Sequence, residues 1–128
     1  MTLPELEETL PNGFHDAGLV SLTISFDTGV MIIGLKVDVS SSEARMPDYK
    51  QAFVHLHGLR GFICDRSPFA GPVRGSLAVC GVIPTERELP QLNTLEEDAR
   101  RGLYSFFIVE WNSFLHIAAD EASLTWAE

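Results

Sequence analysis

A chain of 128 residues with 45% hydrophobic and 21% charged side chains has the size and balance of one globular domain, which excludes a disordered polypeptide. Its formal net charge of −9 repels phosphate backbones, so nucleic acid is not expected as a partner, and an acidic surface suits a basic protein instead. The charge is uneven: net −5 over residues 1–42, +2 over 43–74 and −6 over 75–128.

Two cysteines, Cys64 and Cys80, are too few for a disulfide framework, and each lies in or beside an apolar stretch where a thiol behaves as a small hydrophobe. Met1 to Leu10 holds three glutamates and no basic residue, unlike a secretory signal. No apolar run reaches the ~18 residues of a membrane span, so no membrane partner is expected and the expected address is the cytoplasm.

Along the chain, Thr2 and Glu5 have the spacing of a capping box with Pro4 in the first turn, and Pro11-Asn12-Gly13 stops the short helix that they start. Gly18 to Val39 reads as a β-hairpin. Val20, Leu22, Ile24 and Phe26 alternate with Ser21, Thr23, Ser25 and Asp27 in the first arm, Asp27-Thr28-Gly29 turns, and Met31, Ile33, Leu35, Val37 and Val39 share a face in the second. Successive strand side chains point to opposite faces, so this period of two buries one face and wets the other.

Ser40 to Pro47 is a loop, and Tyr49 to His57 the next strand, with Ala52, Val54 and Leu56 on one face and Phe53, His55 and His57 on the other. Phe62-Ile63-Cys64 reads as a further short strand after Gly58 and Gly61, and Asp65 to Arg74 as an irregular loop. Gly75 to Ile83 is apolar almost throughout, the pattern of a central strand. Pro84 to Arg101 is polar; within it Thr94 and Glu97 repeat the capping-box spacing, with Gly102 as a C-cap glycine, so a second short helix fits there.

Leu103 to Glu110, a turn at Trp111-Asn112-Ser113 and Phe114 to Ala119 form a second hairpin, and Ala122 to Trp126 a last strand. The expected fold is one mainly β domain over residues 1–128: a single antiparallel β-sandwich or open barrel of about seven strands with one or two short helices.

Few residues suggest chemistry. His15-Asp16 ahead of the first strand has the residue types of a metal hydrolase, but Asp16 better suits a turn that launches the strand, where it accepts backbone N–H bonds. His55 and His57 project from one strand face, as strand-borne imidazoles do when they chelate a metal. A third ligand would have to come from His15, His116, Asp48 or Asp65, and Gly58-Leu59-Arg60-Gly61 supplies no carboxylate. No metal or cofactor is therefore assigned.

Arg60, Arg66 and Arg74 sit in loops, where guanidinium groups suit either an anion or local acids. No Walker loop, dinucleotide fingerprint or nucleophile elbow is present. The aromatic residues gather at the C-terminal hairpin in Tyr104, Phe106, Phe107, Trp111, Phe114 and Trp126. Tyr104 and Phe106 form core if the sheet is covered and a homodimer surface if it is not.

The segment Leu10-Pro11-Asn12-Gly13-Phe14-His15-Asp16-Ala17, followed by the alternating strand Leu19 to Asp27, resembles the opening of small uncharacterised bacterial β domains. Some of these are grouped with immunity proteins that neutralise polymorphic toxins. The likeness covers about the first thirty residues, centred on the Gly-x-His-Asp-Ala pentapeptide, and brings no catalytic residue with it. It implies a bacterial cytosolic β domain that binds another protein. Two alternatives stand beside that expectation: a small-molecule-binding or metal-dependent enzyme using His15, Asp16, His55 and His57, and a structural homodimer.

Overall fold

The computed structural model describes residues 1–64 and 101–127, together with the backbone alone of 77–81. Helix α1 (Leu3–Glu8) precedes β1 (Ala17–Ser25), β2 (Val30–Asp38), β3 (Tyr49–Cys64), β4 (Leu77–Gly81), β5 (Leu103–Ile108) and β6 (Ser113–Trp126), with a 3₁₀ turn at Val109–Trp111. The molecule is mainly β and antiparallel. The strands join in the order β1–β2–β3–β6–β5–β4, and β4 returns to β1, closing a ring rather than stacking two sheets as a sandwich would. Closure rests on three residue pairs, Ala17–Val79, Gly18–Ala78 and Leu19–Leu77. The second helix expected around Thr94, and Arg66 and Arg74, lie outside the described residues.

The first hairpin departs from strict alternation at one residue. Leu19 pairs with Leu35 and Ser21 with Gly34, so Val20 is an extra residue, a β-bulge. The bulge resets the parity of β1. Ala17 and Leu19 point into the core before it, while Leu22 and Ile24 lie opposite the buried Ile33 and Met31 after it. Val20 and Phe26, expected to share the buried face, are instead 44% and 82% exposed. In β2 the alternation holds, and Met31, Ile33, Leu35 and Val37 are fully buried.

Two of the expected strands are continuations of others. Phe62-Ile63-Cys64 belongs to β3 and Ala122–Trp126 to β6, and the two long strands pair from Ala52–Trp126 to Cys64–Leu115. A register shift between Leu59 and Gly61, with Gly58 at φ +65°, bends β3 without ending it. A Cβ at Gly58 would run into the carboxylate of Asp120, which also takes Arg60 Nε at 2.9 Å. A sharp bend and a close side chain thus both require glycine there.

The turn of the second hairpin comes earlier than its polar residues suggest. β5 stops at Ile108, Val109–Trp111 winds as a 3₁₀ turn, and Asn112 takes the left-handed conformation at φ 47° before β6 starts at Ser113. Asn tolerates that conformation better than other side chains. Tyr104, Phe106, Ile108, Leu115 and Ile117 then face inward and are at most 1% exposed. Tyr104 and Phe106 are core.

Antiparallel alternation gathers the starts of β1, β3 and β5 and the ends of β2 and β6 at one end of the ring, and the N-terminal segment closes that mouth. The capping box at Thr2 and Glu5 is formed, with Glu5 N–H donating to Thr2 Oγ1 and Thr2 N–H to Glu5 Oε2. A six-residue helix is marginal alone; it persists because Leu3 and Leu6 are buried against β5 and β6. Phe14 completes the plug, 0% exposed, 5.7 Å from the Tyr104 ring and 5.6 Å from that of Phe106. Asn12 Nδ2 donates to the carbonyls of Asp38 and Ser40 at 2.9 Å each, tying this segment to the end of β2.

Candidate functional site

His15 and Asp16 lie between the plug and β1. Asp16 has φ 57°, and its Oδ2 is 3.3 Å from His15 Nε2, with both side chains more than 60% exposed. The pair is adjacent in sequence and free in solvent. An ion pair so exposed contributes ~0–1 kcal/mol.

His55 and His57 occupy the outer face of β3, as the alternation requires. His55 stands between Ile32 on β2 and Ser123 on β6, with its Nε2 3.2 Å from Thr125 Oγ1. His57 stands opposite Glu121. No hydrogen bond or ion pair joins either imidazole to His15 or Asp16 among the described residues. Nor, among those residues, do any three His, Cys, Asp or Glu side chains group as metal ligands would. Of the four sequence candidates the fold brings His15 to Asp16 and sets His55 and His57 along one strand. Cys64, at the end of β3, is a free and exposed thiol.

Two polar contacts escaped the sequence reading. Ser105 and His116 are directly opposed on β5 and β6, both fully buried on the outer side of that pair, with Ser105 Oγ 2.7 Å from His116 Nδ1. The Phe114 ring stacks on the imidazole, 5.4 Å away at 18°. A hydroxyl bonded to an imidazole is the combination that activates serine nucleophiles. With both groups at 0% exposure no substrate reaches the oxygen, and the contact instead satisfies buried polar atoms, each costing ~1–3 kcal/mol if left unpaired. A turn centred on Asn112 would have set Ser105 against a different residue, so the pairing became visible only with the register.

The second contact is at the mouth. Glu7 Oε2 accepts from the hydroxyl of the buried Tyr104 and, at 3.3 Å, from the N–H of Phe14. It fastens α1 to β5. Asp38 fastens the neighbouring loop. Hydrogen bonds from the Ser40 side chain, the Ser40 N–H and the Asp48 N–H hold its carboxyl below the ordinary aspartate value.

Two shallow grooves flank Trp126, which is 44% exposed at the same mouth. One, of about 780 Å³, is lined by Pro11, Val39, Lys50, Gln51, Trp126 and Ala127. The other, of about 510 Å³, is walled largely by Met1, Leu6, Leu10, Ala122 and Leu124. The walls mix apolar side chains with polar ones, Lys50 and Gln51 in the first groove and Thr9 and Ser123 in the second.

No helix among the described residues is long and apolar enough to cross a membrane. No family model matches the chain, and neither curated proteins nor solved structures give a significant match.

Proposed function

We propose that the chain is a non-enzymatic bacterial, cytoplasmic β module that works by contact with another protein, in the manner of an immunity protein. One observation carries this reading. Among the described residues, the side chains with chemical potential are bonded to near neighbours: His15 to Asp16, His55 to Thr125, Arg60 to Asp120. A net charge of −9 favours a basic partner, whose approach such a field accelerates.

The test is capture of binding proteins by the purified chain, followed by titration with the captured protein at rising salt. Binding to a basic protein that weakens steeply between about 0.05 and 0.5 M salt fits the reading. Turnover of a small substrate, lost on His15→Ala or His55→Ala, would replace it with an enzyme built on His15, Asp16, His55 and His57.

A homodimer is the second reading, favoured by a different observation. Tyr104 and Phe106 are buried and offer no interface, but Val20, Leu22 and Phe26 remain exposed on the first hairpin.

A further inference from the structure

We propose that the groove between Pro11 and Trp126 binds a small aromatic carboxylate, held by the Lys50 ammonium and the Trp126 indole. The site is separate from His15, Asp16, His55 and His57, and it goes beyond the protein-contact reading without resting on it.

Strand register places both side chains. Directly opposed residues on neighbouring antiparallel strands share a face. Lys50 pairs with the buried Val37, so it continues the inward row Ala52, Val54 and Leu56 of β3. Trp126 pairs with Ala52 and continues the inward row Ala122 and Leu124 of β6. The two are therefore diagonal neighbours on one face, about 7–8 Å apart. A lysine breaks the apolar pattern of those rows, and such a break in a core pattern is where function is expected. Lys36 and Arg60, the cations of β2 and of the far half of β3, differ: Lys36 lies on the outer face opposite Gln51, and Arg60 bonds to Asp120.

Backbone and side-chain bonds set the walls in advance. Asn12 Nδ2 ties the segment next to Pro11 to the carbonyls of Asp38 and Ser40 at 2.9 Å each. Val39 N–H donates to the Asp48 carbonyl at 2.8 Å, and Ala127 N–H to the Gln51 carbonyl at 2.9 Å. These bonds hold the plug and the ends of β2, β3 and β6 around a space of about 780 Å³. Small-molecule sites span about 300–1,000 Å³ and recur in the mouths of β-barrels. Walls fixed beforehand favour a rigid, flat ligand, which loses little conformational freedom on entering.

Chemistry selects the ligand. Pro11, Val39 and the half-exposed Trp126 offer apolar surface, and an indole packs against another aromatic ring. Among the described residues that line the groove, Lys50 is the charged one, and its ammonium attracts a carboxylate on that ring. A net charge of −9 repels anions from the molecule as a whole, so an anion held here depends on Lys50. A neutral aromatic ligand leaves the ammonium unused, and an aromatic cation meets it as a like charge.

The experiment is an NMR titration of the full chain with naphthoate, with naphthamide and acetate as controls. It follows the amides of Lys50, Gln51 and Ala127 and the indole N–H of Trp126. The expected result is saturable shifts at those positions with naphthoate, about fivefold weaker binding of the amide, and none of acetate. Lys50→Gln brings the acid down to the level of the amide, Lys50→Arg retains the preference, and Trp126→Ala weakens both ligands. An amide affinity unchanged by Lys50→Gln shows that the groove survives the substitution. No saturable binding of naphthoate, acid and amide bound equally, or an acid preference that survives Lys50→Gln overturns the proposal. Each of those results leaves the protein-contact reading standing, because none of them concerns a protein partner.

Discussion

Replacing Phe14 by alanine tests whether the N-terminal segment is a structural plug. The ring is fully buried and contacts Tyr104 and Phe106 from within the mouth of the ring of strands. A buried Phe removes about 150–250 Å² from water, which at ~25 cal/mol per Å² is about 4–6 kcal/mol for the whole side chain. Alanine keeps part of that area, but the cavity left among rigid aromatic neighbours adds to the loss, giving an expected ~3–5 kcal/mol. A domain of this length has about 6–19 kcal/mol of stability at ~0.05–0.15 kcal/mol per residue, so the variant loses a large share of it. Urea unfolding at equilibrium measures the change, with Phe14→Leu expected to recover more than half. A loss below ~1 kcal/mol would mean that residues 1–16 lie on the barrel without sealing it, and the account of α1 would fail with it.

Three further outcomes follow from named contacts. Tyr104→Phe removes the donor to Glu7 and should cost about 1–2 kcal/mol in the same unfolding assay; a neutral result would show that the bond does not hold the helix. Gly58→Ala forces a side chain into a positive-φ position and against Asp120, at a cost of about 1–3 kcal/mol, whereas Gly61→Ala, with open space around it, should stay within ~0.5 kcal/mol of wild type. Asp38 is held below its ordinary pKa by bonds to its charged form, so its stabilising contribution is present above the ordinary aspartate value and disappears as pH falls through the lowered folded value. Thermal melts of Asp38→Asn should therefore lie below wild type at neutral pH and converge with it in strong acid; a gap independent of pH would refute the assignment.

Most of the architecture was legible because its signals are local. The alternation Met31-Ile33-Leu35-Val37 and the faces of Tyr49 to His57 follow from the pleat alone, and the Thr2–Glu5 box is complete within four residues. The misses come from backbone irregularities that hydrophobic spacing does not encode. Val20 carries the same apolar side chain whether it continues the strand or bulges from it, so the exposure of Val20 and Phe26 was hidden. Gly58 and Gly61 read as terminators, yet Gly58 bends a strand that Asp120 and Arg60 hold together from the neighbouring side. For the candidate site, the outward pointing of His55 and His57 was readable. The Ser105–His116 pair was not, because it depends on a register set by a 3₁₀ turn that begins at Val109 and not at Trp111.

The place of β6 in the ring constrains how the polypeptide reaches its native state. β1, β2 and β3 zip up in succession, but the free flank of β3 is satisfied only when residues 113–126 arrive from far along the chain. Until then a sixteen-residue strand stands half-bonded beside its own hairpin. Non-local zippering of this kind is slow, and the waiting interval is when strangers can pair with it. Contacts that distant in sequence, more than the strength of any one strand pair, set the pace expected of this topology.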